Sequence, residues 1–506
     1  MRRSLEPAFR TSHSSDLSTS LVMKCILLII FYLPLSAANQ EPGVKGRLTS
    51  KGLQYGLQAG LEELQSRLSS FQIPDVTGSI SVAILGTIYY SVTSLQIENL
   101  DLSNSNLSFI SDTGVNMEIS NGQLSITGYL RIETVLFSAS TNLEVVVSGL
   151  SLTGIVGVTG DDTGHGKVWD GGCNSEVNNV NINFHGGSGW FLRMFKSSII
   201  GPVYDALTKQ LCPQFEKALE QMEQTLSSLP VVSIMDSVAS LEYPLVDLPL
   251  ITEQSLDVFI KGQFIGRSQR WDPPDHPEKL VLPDIDSRMV LLALSQFSVN
   301  SAGYVHYMSG ILSYNVTDDL IPKQSPLRLN TKSLSTFVPE ILTRFPDSPP
   351  LLLHISAHSP PAVNCQPDIL TVDASADIHL YAMAANHSLV PIFQMQAGVE
   401  TQVDIQLSEE SLGVALSLRN FSLALIHSDA GPVKVDNLKN ILNFALKLVA
   451  LPLMNKKLQN MVIIPTHPVR LQNPELRILK GYLVVVTDFE LSLSPPLQQT
   501  EMVTKP

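Results

Sequence analysis

Between Ser188 and Leu229 the apolar residues recur three or four apart: Phe191, Phe195, Ile199, Val203, Leu207, Leu211, Phe215, Leu219, Met222, Leu226 and Leu229. On a helix of 3.6 residues per turn that spacing draws a stripe along one side. A strict step of four drifts by about 40° per repeat, and Trp190, Met194, Ile200 and Tyr204 thicken the stripe where it winds. The stretch is long for a globular helix, but its charges, Lys196, Asp205, Lys209 and Glu216 among them, forbid a membrane span. Pro202 and Pro213 fall inside it, and each removes a backbone donor and predicts a bend. Such a helix needs a long apolar surface to lie on.

A second helical pattern runs from Leu48 to Phe71, with Leu53, Leu57, Leu61, Leu64 and Leu68 on one face. Beside it stands a row of Gly52, Gly56 and Gly60, which points to close approach of a backbone or a ligand chain, or to tight helix–sheet packing. From Ser79 to about Ile155 the pattern turns to strands rich in β-branched and aromatic residues, among them 89–102, 115–120, 123–135 and 143–150. Their short connections make them antiparallel. Residues 160–172 read as a Gly- and Asp-containing loop, and 180–184 as one more strand before the long helix. Prolines 244, 249, 273, 274, 277 and 283 mark 243–284 as a connector.

The second half repeats the plan. Strands are expected at 289–297, 303–314, 351–357, 369–373, 375–383, 398–407 and 412–426, with a short helix at 334–345. A second apolar helix follows over 435–459 with Pro452 inside it. Two copies of helix, strands and long helix point to an internal duplication too diverged to show as identity. The expected domains are an extension and signal peptide (1–38), a first sheet-and-helix domain (39–242), the connector (243–284), a second sheet-and-helix domain (285–495) and a tail (496–506).

The chain has 506 residues, 44% hydrophobic and 16% charged, with 33 Lys and Arg against 47 Asp and Glu. A net charge of −14 disfavours a nucleic-acid partner, which needs a basic face. Residues 23–38 read as a secretory signal: Lys24, an apolar run from Cys25 to Leu35, then Ser36-Ala37-Ala38. Sequons at Asn106, Asn315, Asn386 and Asn420 fit export, so a secreted, extracellular glycoprotein is expected. Past the signal remain Cys173, Cys212 and Cys365, enough for one bridge and an odd thiol. Spacing alone leaves the connectivity open, and no bridge at all remains an alternative. Cys173–Cys212 is the favoured pairing, because it would tie the segment before the long helix to the helix's middle.

No catalytic constellation stands out, and the chain is not read as an enzyme. Gly186-Gly-Ser188-Gly-Trp190 misses a nucleophile elbow at its last position. His354 and His358 lie in strand or loop, where a spacing of four does not bring two rings to one metal. Asp161, Asp162 and Asp170 lack the ligand spacing of a calcium loop. Neither metal nor cofactor is expected.

The chain resembles the family of bactericidal/permeability-increasing protein, lipopolysaccharide-binding protein and their lipid-transfer relatives, over about 41–490. The resemblance rests on Pro42-Gly-Val44, Lys51-Gly-Leu-Gln-Tyr55, Ile73-Pro-Asp75, Gly189-Trp190 and Leu229-Pro230. It continues through Asn300-Ser-Ala-Gly303, Asp318-Asp-Leu-Ile-Pro-Lys323, Arg328-Leu-Asn-Thr-Lys332, His427-Ser-Asp-Ala-Gly-Pro432 and Leu451-Pro-Leu-Met-Asn455. It implies an α+β fold: two pseudo-symmetric barrels of twisted antiparallel sheet, each wrapped on long helices, joined by a central sheet into a boomerang. It also implies a Cys173–Cys212 disulfide and an apolar phospholipid pocket in each barrel. The first pocket would be lined by Leu53, Leu57, Leu61, Leu64, Leu68, Phe191, Met194, Phe195, Ile199, Val203, Leu207 and Leu211, and the second from 438–453. Implied functions are lipid binding or transfer and antibacterial innate immunity. Phospholipid is the expected partner, with lipopolysaccharide or membrane surfaces beside it. One departure matters. Between Arg67 and Arg131 there is no Lys, Arg or His, while Asp75, Glu98, Asp101, Asp112 and Glu118 are acidic. The first barrel thus lacks the basic tip with which the lipopolysaccharide-binding members meet lipid A, so a lipid carrier is placed first and lipopolysaccharide binding second.

Overall fold

The computed structural model describes residues 41–67, 75–82, 86–185, 196–321, 328–409, 411–458 and 469–491. Strand β1 (Val44–Thr49) leads directly into helix α1 (Ser50–Arg67). Then come β2 (Val76–Val82), β3 (Gly86–Asp101), β4 (Ser105–Ile110), β5 (Gly114–Glu133), β6 (Ser138–Gly160) and β7 (Gly166–His185). Helix α2 (Lys196–Ser228) keeps Pro202 and Pro213 within 33 residues. Short strands β8 (Val232–Ile234), β9 (Ala239–Glu242), β10 (Leu250–Ile251), β11 (Ser255–Ile260) and β12 (Gln263–Gly266) follow.

In the second half β13 (Val290–Ser295) feeds α3 (Gln296–Met308), then β14 (Ser313–Val316) and the short helices α4 (Thr331–Leu334) and α5 (Ile341–Arg344). Strands β15 (Leu351–Ala357), β16 (Ala362–Gln366), β17 (Ile369–Met383), β18 (Leu389–Leu407) and β19 (Leu412–Ser428) form the second large sheet with β14. Helix α6 (Val435–Ala445) runs through a π-helical turn, Leu446–Ala450, into α7 (Leu451–Leu458). The described chain closes on β20 (Val469–Leu479) and β21 (Tyr482–Leu491).

The duplication expected from the sequence is explicit in the topology. The first large sheet has the order β2-β3-β5-β6-β7 with β4 on β5; the second has β14-β15-β17-β18-β19 with β16 on β17. Each is preceded by a strand–helix pair (β1–α1, β13–α3) and followed by a long helical segment. The central sheet reads β10-β11-β1-β13-β21-β20, so its two halves mirror each other across the antiparallel β1–β13 pair. This is the expected α+β class.

At that joint Asp257 of β11 is only 2% exposed and holds two cations of β1: Lys45 Nζ at 3.0 Å and Arg47 Nε at 2.6 Å. A buried carboxylate is tolerated only when its charge is met this way. Lys51 of α1 reaches Asp488 of β21 at 2.9 Å, and Arg288 shares that carboxylate at 3.3 Å. A Cβ on Gly52 would lie 2.8 Å from the Met289 carbonyl oxygen, so this glycine of the row serves tight backbone packing.

Three local expectations are corrected. Of the strand expected at 303–314, residues 303–308 belong instead to helix α3, and only Ser313 and Tyr314 are in a strand, β14. The β-branched and aromatic Tyr304-Val-His-Tyr307 suggested extended chain, but Ser295 caps the helix by accepting from Ser298 N. Phe297, Ser301 and Val305 then bury one helical face. The loop placed at 160–172 shrinks to a tight turn, since β7 already begins at Gly166. Asp161 Oδ1 accepts from the backbone N–H of Thr163 and of His165 and closes that turn locally. Burial acts to raise the Asp161 pKa, and these hydrogen bonds outweigh it and hold the carboxyl below its ordinary value. Finally, the 243–284 interval contains β10 to β12, and β11 pairs with β1 in the central sheet. Its prolines all fall between strands, where no ladder donor is lost.

Candidate functional site

The second large sheet alternates apolar and polar side chains, so one face is greasy. On β17 that face carries Ala376, Ile378 and Leu380; on β18, Phe393, Met395, Ala397 and Val399. Helix α6 lies across it and contributes Leu438 and Leu442, one turn apart, with Leu446 following in the π-helical turn. The two surfaces do not close completely. Between them is a cavity of about 250 Å³, completed by Leu353 and Ile355 of β15, Phe421 of β19, Leu334 of α4 and Leu329 just before it. Every side chain lining it is apolar, and none is ionisable. The wall is firm: Leu380 and Met395 are 1% exposed. Asn455 of α7 exchanges two hydrogen bonds with the Leu416 backbone and anchors the helical segment to β19. Such a site offers no acid, base or nucleophile for chemistry and can only exclude water and accept apolar chains.

Of the residues expected to line a first-half pocket, Leu53 and Leu57 of α1 are buried in a core with Phe215, Leu219, Met222 and Leu226 of α2. Leu61 packs partly buried against that core. Leu211 joins a second cluster, against the β3, β5, β6 and β7 residues Ile88, Leu130, Val147 and Ile182. Leu68, Phe191, Met194 and Phe195 lie outside the described residues, as do the side chains of Leu64, Ile199, Val203 and Leu207. Within 438–453, Leu438, Leu442 and Leu446 do face the second-half cavity. Sequence reading missed the strand side of that cavity. Its signal was the alternation Ala376-Ile378-Leu380 and Phe393-Met395-Ala397, in which alanines replace larger residues.

Cys173 of β7 and Cys212 of α2 form a disulfide with Cα atoms 5.6 Å apart. Cys365 of β16 is free and buried, and burial pushes its thiol pKa up to about 11. All four sequon asparagines are exposed. His354 stands across the β15–β17 pair from His379, its Nδ1 2.7 Å from Asn315 Oδ1, while His358 pairs with Asp377 at 3.0 Å. Among the described residues no three His, Cys, Asp or Glu side chains gather in a metal-binding group. Nor is any helix there long and apolar enough to cross a membrane.

Two family models match the chain: the LBP / BPI / CETP family N-terminal domain over residues 52–227 and its C-terminal domain over 233–491. The chain belongs to the LBP / BPI / CETP family. It is 32% identical to a bactericidal permeability-increasing protein of Sebastes schlegelii, across 93% of this chain and all of that one. It is 28% identical to the human BPI fold-containing family C protein, over 94% of each. The human lipopolysaccharide-binding protein matches at 28% over 90% of this chain and 95% of its own. A crystal structure of lipopolysaccharide binding protein superposes with a TM-score of 0.57 at 25% identity, covering 89% of this chain and all of that one. The likeness spans both halves, and with them the LBP / BPI / CETP two-barrel architecture.

Proposed function

We propose that this protein is a secreted, non-enzymatic lipid-binding protein of the innate-immune type, which holds phospholipid acyl chains in apolar pockets. The observation that carries the reading is the second-half cavity, about 250 Å³ with an entirely apolar lining. Burying a methylene is worth about 0.8 kcal/mol, so a long acyl chain brings on the order of 10 kcal/mol gross without any charge. The volume is near the lower end of ligand sites, about 300–1,000 Å³, and suits a single chain or part of one. A first-half pocket between α1 and α2, lined from Leu53 to Leu211 as expected above, belongs to the same proposal. The signal-like N-terminus, the disulfide and the exposed sequons support export.

Relatives named for lipopolysaccharide binding favour lipid A as a second reading. The charge distribution weighs against capture by phosphate, since from residue 68 to residue 166 Arg131 is the one Lys or Arg.

Native mass spectrometry with lipid extraction tests the first reading. Protein purified from secreting cells should carry phospholipid. Ala376→Leu, which projects into the cavity, should lower uptake of a labelled phospholipid several-fold while costing no more than about 1–3 kcal/mol of stability. Lipid-free protein that takes up no labelled phospholipid would overturn the reading. Salt-sensitive capture of lipid A with no phospholipid uptake would put the second reading in its place.

A further inference from the structure

The outer face of the second large sheet carries a row of polar side chains in cross-strand register. Asn315 of β14 faces His354 of β15, and His354 faces His379 of β17. His379 in turn faces Gln394 of β18, and Gln394 faces His427 of β19. Side chains alternate along a strand. The chain neighbours of His354 and His379, which are Leu353, Ile355, Ile378 and Leu380, all line the cavity, so the row lies on the opposite face.

His354 and His379 are directly opposed, a placement that brings Cβ atoms to about 4.5–5.5 Å. Their ring centroids are 6.4 Å apart, with the rings tilted by 45°. His354 Nδ1 lies 2.7 Å from Asn315 Oδ1. An amide oxygen only accepts, so Nδ1 carries the proton and Nε2 keeps a free lone pair. His379 has no hydrogen-bond partner among the described residues and stacks on Tyr381 with centroids 6.0 Å apart. Both histidines are partly exposed.

The duplication supplies an internal control. His379 stands four residues before the end of β17, and the residue four before the end of β5 is Tyr129, which faces Thr93 of β3. The architecture therefore does not require two imidazoles at this pair, and the second half departs from the first.

We propose that His354 and His379 together bind a zinc ion. Imidazole nitrogen is a preferred ligand of Zn2+, at about 2.0–2.1 Å. Two rings bound at a tetrahedral angle place their centroids about 5 Å apart, so the pair has about 1 Å to close. His379, which no hydrogen bond holds, can close it by a small side-chain rotation. Asn315 meanwhile fixes the ring and tautomer of His354, as the outer partner of a metal-bound imidazole does. The surroundings favour a cation. Strands β15, β17 and β18 hold no Lys or Arg, and Asp377, next along the same face of β17, already meets His358 at 3.0 Å. Two protein ligands leave two tetrahedral positions to water, which makes this an open, exchangeable site rather than a closed structural one. It stands whether or not the cavity on the other face holds lipid.

The test is calorimetric titration of the untagged, full-length exported protein with Zn2+, beside H354A, H379A, H354A/H379A and H427A. The wild type should bind zinc, and either single replacement of the pair should weaken binding about tenfold or more, because the second imidazole acts as an intramolecular ligand. The double variant should add little to either single one, since chelation is lost with the first ring. H427A, which removes the histidine beyond Gln394, should bind as the wild type does. Ca2+ and Mg2+, which prefer oxygen ligands, should not compete. All three side chains are at least partly exposed, so the variants should fold, as circular dichroism would verify. His379→Tyr, carrying the residue of the first-sheet counterpart, is a second way to remove the ring. A wild type that takes up no zinc overturns the proposal, as does undiminished affinity in H354A/H379A. So does a loss shared equally by H427A, or a strictly additive effect of the two rings, which would make them separate single-histidine contacts.

Discussion

The two large sheets share one strand order, yet the described side chains inside them are arranged differently. In the first half the described side chains form two packed clusters, one where α1 and the last turns of α2 meet the central sheet, the other under the long β3, β5, β6 and β7 strands. In the second half the same topology leaves an apolar void under α6. The cavity wall alternates Ala376 and Ala397 with larger residues, whereas the first-half clusters draw on Leu, Ile, Val and Phe. The helices differ too: α2 is one continuous rod pinned by a disulfide, while α6 and α7 are joined through a π-helical turn and pinned by hydrogen bonds from Asn455.

The sharpest way to break the comparison is to cut the joint between the halves. Asp257→Ala leaves Lys45 and Arg47 without their shared carboxylate inside the central sheet. The expected loss is about 3–5 kcal/mol. Chemical denaturation with probes in both halves should show both transitions move, because β1 belongs to one half and pairs directly with β13 of the other. Somewhat smaller is the effect of C173S/C212S, which opens a bridge spanning 39 residues in the first half only. Chain-entropy reasoning assigns such a bridge up to about 4 kcal/mol, with about 2–4 typical. Here the first-half transition should shift more than the second; equal shifts would make the molecule a single cooperative unit.

The smallest effect reports on the second half through Cys365. Burial pushes its thiol up from an ordinary value of 9.0 to about 11 in the folded chain. Below pH 9 both folded and unfolded thiols keep their proton, and the group is neutral to stability. Between pH 9 and 11 the unfolded chain loses the proton while the folded chain keeps it, so stability falls as pH rises, by at most about 3 kcal/mol. Denaturation of wild type and C365A across pH 8 to 11 should show the slope in the wild type alone. Alkylation of native Cys365 below pH 9 should be slow and should accelerate on unfolding.

Much of this molecule can be read along the chain, because its signals are local. The period-two rows of β3, β5, β6, β17 and β18 and the apolar stripes of α1, α2 and α6 report their own burial through spacing alone. The duplication was visible as a repeated order of elements, and the Cys173–Cys212 pairing through resemblance. Local signals failed where two readings competed. Tyr304-Val-His-Tyr307 has strand-like residues inside a capped helix, and the prolines of 243–284 concealed β11 at the centre of the molecule. What had to await the folded chain is everything that depends on surfaces distant in sequence. Asp257 meets Lys45 and Arg47 across some two hundred residues, and Ile378, Met395, Phe421 and Leu442 fail to fill the space they enclose. Periodicity states that a side chain is turned inward; whether the opposite wall reaches it is a property of the two walls together.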